Sequence, residues 1–289
     1  MTNRGSVRVR RALSATFAAS ILAVTAPAAP SDAATDVSTI GLARPESSGT
    51  KIGWHLRNSN STGGAHLHFT FGNPKTGFPI VGDWNGDGKD TIGVARPESG
   101  DTKLGWYLRN SNSTGGTNVH FTFGNPKTGF PIVGDWNGDG KDTIGVVKDE
   151  GGRLGWNLRN SNSTGGVNIH FTYGSAETGY PVVGDWNGDG KDTIGVVRND
   201  GFNHLEWHLR NANSSGGTNV RFTFGAVFDF PVVGDWDGDG KDTIGVVRDD
   251  GLGHLEWYLR NTNSNGGANK VFIYGKPLQD FPVTGDWNG

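Results

Sequence analysis

The sequence predicts an all-β fold, a five-bladed β-propeller of four-stranded blades, and three observations carry that reading. First, the block Gly-Asp-Trp-Asn/Asp-Gly-Asp-Gly-Lys-Asp-Thr-Ile-Gly-Val occurs four times in full, with its first aspartate at Asp83, Asp135, Asp185 and Asp235, and begins a fifth time at Asp286. Second, the block Gly/Glu-Trp-x-Leu-Arg-Asn recurs around Trp54, Trp106, Trp156, Trp207 and Trp257, and both series keep a spacing of 50 to 52 residues. Four short strand-like runs per repeat of that length are the grammar of a propeller blade. Third, the phase of the repeats predicts closure. The C-terminal run Phe281–Trp287 would supply the first strand of the blade begun by Ser38–Leu42, which removes the free sheet edges. A linear solenoid would need distinctive capping repeats, and the terminal repeats here resemble the internal ones.

Taken in order, the chain starts with a segment set apart from the repeats. Arg4, Arg8, Arg10 and Arg11 precede an uncharged run of small and apolar residues from Ala12 to Ala29, and small residues surround Asp32. This layout predicts a secretory signal over residues 1–34, with the propeller over 35–289. Rich in alanine and broken by proline, the segment is a poor membrane-spanning helix. Beyond it remain 22 basic and 28 acidic residues, a net charge of −6. An acidic surface without basic clusters argues against nucleic acid and against membrane insertion. The chain has no cysteine, so stability must come from packing or from metal.

Within a repeat the four runs are well shown by Pro131–Trp136, Thr143–Val147, Leu104–Arg109 and Val119–Phe123. The last two alternate with period two, placing Leu104, Trp106 and Leu108 on one face and Val119, Phe121 and Phe123 on another. The indoles of the Trp54 series therefore read as core. Gly, Asn, Asp, Ser and Pro separate the runs as turn formers.

The motif Gly-Asp-x-Asn-Gly-Asp-Gly, with Phe71-Gly72, Phe123-Gly124, Tyr173-Gly174, Phe224-Gly225 and Tyr274-Gly275 ahead of it and Pro79, Pro131, Pro181, Pro231 and Pro282 between, resembles the FG-GAP/VCBS repeat of bacterial secreted proteins and integrin α-chain propellers. The resemblance covers essentially all of residues 35–289 and implies the propeller fold; such propellers bind many things, so it implies little about function.

The aspartate block has the one-three-five oxygen spacing of a calcium loop. Candidate ligands are Asp83, Asn85, Asp87 and Asp90; Asp135, Asn137, Asp139 and Asp142; Asp185, Asn187, Asp189 and Asp192; and Asp235, Asp237, Asp239 and Asp242. Repeats of the resembled family carry an aspartate at position nine, where this chain has Thr91, Thr143, Thr193 and Thr243, its own aspartate standing at position eight. Two readings stay open: calcium, or a metal-free turn closed by carboxylate–amide hydrogen bonds. The calcium reading makes the fourth copy strongest, because Asp237 adds a charge, and the fifth weakest, with Thr35 in place of the aspartate.

No enzyme is expected. The chain lacks a cysteine nucleophile, a His-Glu-x-x-His, a Gly-x-Ser-x-Gly and a phosphate loop. His68, His120 and His170 share one outward strand position that Arg221 takes in repeat four, while Glu206 and Glu256 stand a whole repeat apart. Five near-identical units instead suggest multivalent binding, in which weak contacts multiply by roughly 10² to 10⁴. The sequence suggests a lectin-like module for cell-surface or extracellular glycans. Its ligand-binding candidates are Trp84, Trp136, Trp186, Trp236 and Trp287, for sugar stacking, with Asn112 and Asn162 from the Asn-Ser-rich loops. The same indoles have an inter-blade packing role as the rival reading. The rival function is a calcium-stabilised scaffold that binds surface proteins.

Overall fold

The computed structural model describes residues 37–289. The predicted signal segment and Thr35 lie outside the described residues. The described residues form twenty strands, four to each sheet. They begin with β1 (Thr39–Pro45), β2 (Ile52–Leu56), β3 (Leu67–Thr70) and β4 (Phe78–Gly82). There follow β5 (Thr91–Pro97), β6 (Leu104–Leu108), β7 (Val119–Thr122), β8 (Gly129–Gly134), β9 (Thr143–Asp149), β10 (Arg153–Leu158) and β11 (Ile169–Ser175). The remainder are β12 (Tyr180–Gly184), β13 (Thr193–Asn199), β14 (His204–Leu209), β15 (Val220–Ala226), β16 (Phe230–Gly234), β17 (Thr243–Asp249), β18 (Leu255–Leu259), β19 (Lys270–Ile273) and β20 (Phe281–Gly285). The predicted runs match these bounds to within three residues.

Five antiparallel four-stranded sheets result, and the expected closure is present. Blade one is ordered β20-β1-β2-β3, so the last strand pairs with the first, Thr39 opposite Gly285 and Ala43 opposite Phe281. Blades two to five are β4–β7, β8–β11, β12–β15 and β16–β19. The inner strands β4, β8, β12, β16 and β20 touch one another around the axis. At one mouth of the axis aromatic residues at the starts of these strands meet edge to face, Phe78 against Phe130 at 5.3 Å and against Phe281 at 5.9 Å, and Phe230 against Tyr180 and Phe281 at 6.5 Å.

The apolar cores lie between blades, which is why one blade cannot stand alone. One core joins Trp106, Leu108, Phe121 and Phe123 of blade two to Val133, Ile144 and Val146 of blade three. Another joins Trp257 and Tyr274 of blade five to Ile40 and Leu42 of blade one. The Trp54 series is fully buried, as its strand periodicity predicts. Trp106 stacks on Phe121 at 6.4 Å and its indole N–H donates to the Phe123 carbonyl at 2.9 Å, a pairing that covers the polar edge of a large apolar ring.

Candidate functional site

The aspartate loops emerge where each inner strand turns into its neighbour, and they close on themselves. Asp83 Oδ1 accepts the backbone N–H groups of Asn85 (3.3 Å), Gly86 (2.7 Å) and Asp87 (3.2 Å), and Oδ2 accepts that of Gly88 (2.8 Å). The Asn85 amide donates to Asp87 at 2.8 Å. Asp135 and Asp185 repeat the pattern with Asn137 and Asn187, and Asp235 caps Gly238, Asp239 and Gly240. Burial pushes the Asp83 carboxyl above its usual range, against the pull of the Gly88 and Gly86 amides.

The position-eight aspartates face the preceding blade. Asp142 donates its backbone N–H to the Asp83 carbonyl at 2.8 Å, and its Oδ2 accepts the Asp83 N–H at 2.8 Å. Asp192 clasps Asp135, Asp242 clasps Asp185, and Asp90 clasps Asp286 in the same way. In the last gap Ser38, not Thr35, stands in the aspartate's place, its hydroxyl accepting the Asp235 N–H at 3.1 Å. Asp90, Asp142, Asp192 and Asp242 therefore hold neighbouring blades together. Among the described residues only the fourth copy brings three carboxylate oxygens, from Asp235, Asp237 and Asp239, within 4.8 Å of one another.

The sugar-stacking reading of the second indole series also needs correction. Trp84, Trp136, Trp186, Trp236 and Trp287 are at most 6% exposed, so no ring face is open to a ligand. Each indole folds back beneath the glycine two residues earlier: a Cβ on Gly82 would stand 2.9 Å from Trp84 Cζ3. Asn112 and Asn162 are likewise committed, donating at 2.7 Å to the carbonyls of Asp90 and Asp142. Their loops are wrapped around a buried arginine. Arg109 donates to Ser111 Oγ (2.9 Å), Ser113 Oγ (3.0 Å) and the Gly116 carbonyl.

A different polar constellation recurs on each blade, in the outer cleft against the preceding blade. In blade two, Arg96 lies over the Tyr107 ring (4.1 Å), Tyr107 stacks on His120 (4.2 Å), and Tyr107 and His120 each reach Glu98 Oε1 at 2.8 Å. The hydrogen bond from His120 leads in holding the Glu98 carboxyl low. The counterparts are Arg44, Glu46, His55 and His68 in blade one and Lys148, Glu150, Asn157 and His170 in blade three. In blade four, Arg198, Glu206, His208 and Arg221 take these places. In blade five Tyr258 and Val271 are paired across the strands, with Arg248 and Glu256 beside them. Burial alone would raise Glu206, but hydrogen bonds from His208, Arg198 and Arg221 outweigh it and bring the carboxyl to about 2.

Two chain routes deliver that carboxylate to one place. In the first three blades a hairpin glutamate folds over a glycine: a Cβ on Gly105 would stand 1.9 Å from Glu98 Oε1, and one on Gly53 would stand 1.8 Å from Glu46 Oε1. In blades four and five the glycine is replaced by the glutamate itself, Glu206 or Glu256. Comparing the repeats position by position carries this signal, since a glutamate appears at the strand where the hairpin loses its own. The outward histidines were legible, but not their carboxylate partners. Between blades four and five the cleft opens to about 550 Å³, lined by His204, Thr223, Phe224, Arg248, Tyr258 and Val271.

Five stacked sheets closed on themselves, with a polar cleft repeated between them, define a five-bladed β-propeller, an architecture suited to multivalent binding or scaffolding. No protein-family model matches the chain, and no curated protein matches it.

Proposed function

We propose that this chain is an exported, non-enzymatic recognition module that engages glycans multivalently through its inter-blade clefts. The supporting observation is the carboxylate that reaches the same spot from two sequence positions, beside a stacked ring or a cation in each blade. Carboxylates and guanidinium groups suit sugar hydroxyls, and the half-exposed rings suit their apolar faces. This reading shifts the contact from the buried indoles to Tyr107, Glu98 and their equivalents. The basic and apolar residues 4–29 support export, and the FG-GAP/VCBS resemblance supports the multivalent context.

A glycan array probed with the wild type, Tyr107→Ala and a variant altered in all five clefts tests the proposal. The expected result is binding that weakens slightly on losing one cleft and collapses on losing five. Full retention by the five-cleft variant would overturn it.

The scaffold reading has its own support. Phe202, Phe228, Leu252 and Leu278 stand 79 to 104% exposed on the face opposite the aspartate loops. The same face holds a cavity of about 820 Å³ above the aromatic mouth of the axis. Capture of a co-secreted protein that is lost in a Phe202→Ser/Leu252→Ser variant, without glycan binding, would favour that reading. Calcium finds support at Asp235, Asp237 and Asp239, whose carboxylate oxygens lie within 4.8 Å of one another. Calcium titration of the wild type against Asp237→Asn separates a bound ion from the self-closed turn.

A further inference from the structure

Blade one departs from its four sisters at one pair of facing strand residues. His55 on β2 stands directly across from His68 on β3, where the other blades pair Tyr107 with His120, Asn157 with His170, His208 with Arg221 and Tyr258 with Val271. The two imidazoles are stacked, centroids 4.2 Å apart and planes within 19°. Both Nε2 atoms face Glu46 Oε1, His68 at 2.9 Å and His55 at 3.9 Å. All three ligand atoms lie within 4.8 Å of one another. His55 Nε2 is buried and has no hydrogen-bond partner.

We propose that Glu46, His55 and His68 form a site for a divalent transition metal such as zinc, present in blade one alone. Two imidazole nitrogens and one carboxylate are a donor set that zinc takes, and tetrahedral ligands at about 2.0–2.1 Å from the ion stand roughly 3.3 Å apart. The two separations to Glu46 Oε1, 2.9 and 3.9 Å, bracket that value, and binding requires the stacked imidazoles to tilt so that both in-plane lone pairs meet at one ion. The unpartnered His55 nitrogen is the second indication. A hydrogen bond between histidine and glutamate accounts for His68, His120 and His170 alike; the His55 ring stacks on His68 as Tyr107 stacks on His120, but its Nε2 is left without a partner. The neighbouring cation is matched, since Asp280 holds Arg44 through contacts of 2.8 and 3.0 Å. Gly53 is a positioning residue, because any side chain there would collide with the Glu46 carboxylate. Half of the His68 side chain is exposed, which leaves the ion's remaining position to water or to an oxygen donor.

The proposal goes beyond the recognition reading and needs no glycan. The test is isothermal titration of the full chain with zinc, and with cobalt(II) to read coordination from its visible absorption. The variants are His55→Tyr and His68→Val, which install residues that other blades already carry at these positions and so keep the fold. His120→Val in blade two is the control. One zinc per chain is expected, with affinity reduced at least about tenfold by His55→Tyr and by His68→Val and unchanged by His120→Val. Absence of binding at micromolar zinc, or binding indifferent to His55→Tyr, would overturn the proposal. The second result would assign the ion to other surface groups, such as the exposed His204–Asp200 and His254–Asp250 pairs.

Discussion

Asp142 shows how a residue that reads as a metal ligand becomes a structural clasp. It is fully buried, keeps one carboxylate oxygen without a partner, and has no basic group among its hydrogen bonds. Burial, then the nearby Asp192 and Asp90 charges, push its carboxyl well above the usual range. A raised native value means the folded chain holds a proton that the unfolded chain has released, so this residue costs stability as pH rises above about 4. His55, lowered to about 4 by burial and then by Arg44, opposes it over part of that range. Comparing a variant with its parent at each pH therefore isolates Asp142. Ser38 already performs the clasp without a charge. Asp142→Ser should thus gain on the wild type in going from pH 5 to pH 8. Asp142→Ala, which leaves the buried Asp83 N–H unpaired, should fall below Asp142→Ser by about 1–3 kcal/mol at either pH. Urea melts at the two pH values read both quantities.

At the scale of elements, strand periodicity made the Trp54 series legible as core because side chains on a strand alternate. The Trp84 series was harder, since each indole ends a strand beside a polar loop and only the glycine two residues earlier tells that the ring folds back. The Asn-Ser-rich loops were legible as turns but not as latches. Each reaches the outer strand of the preceding blade: the Thr70 N–H donates to Thr114 Oγ1 and the Thr122 N–H to Thr164 Oγ1, both at 3.1 Å. Contacts of that kind link residues more than 40 apart and leave no local pattern. An arginine shapes each latch, buried in the first four, and in the first three its planar fork is what meets two serine hydroxyls and a carbonyl together. Arg109→Lys should therefore cost about 1.5–3 kcal/mol and speed amide exchange in residues 110–116. Arg260, which is only half-buried, should tolerate the same change better. Exchange mass spectrometry alongside chemical melts checks both.

For the whole molecule, the pairing of β20 with β1 does more than complete one sheet. The same C-terminal stretch brings Trp287 into the core between blades one and two, sets Phe281 in the aromatic mouth, and clasps Asp286 to Asp90. Thr284 Oγ1 also donates to the Val233 carbonyl of blade five at 2.9 Å. Removing Phe281–Gly289 should expose two inter-blade cores at once and abolish the cooperative melt. Such a loss alone would not separate ring closure from simple loss of apolar burial. A circular permutant does. Joining Gly289 to Ser38 through Asp-Gly-Lys rebuilds the loop that connects β4 to β5, and opening the chain at Lys127-Thr128 cuts between two exposed residues of an inter-blade connection. Every contact of the ring is kept while the closing blade becomes covalently continuous. The permutant should fold, melt as cooperatively as the parent, and scatter as a compact particle with a radius of gyration of about 18 Å. An elongated particle, from either the parent or the permutant, would mean that the two ends do not share a sheet in solution, and the equivalent clefts would then lose the geometry that lets them act together.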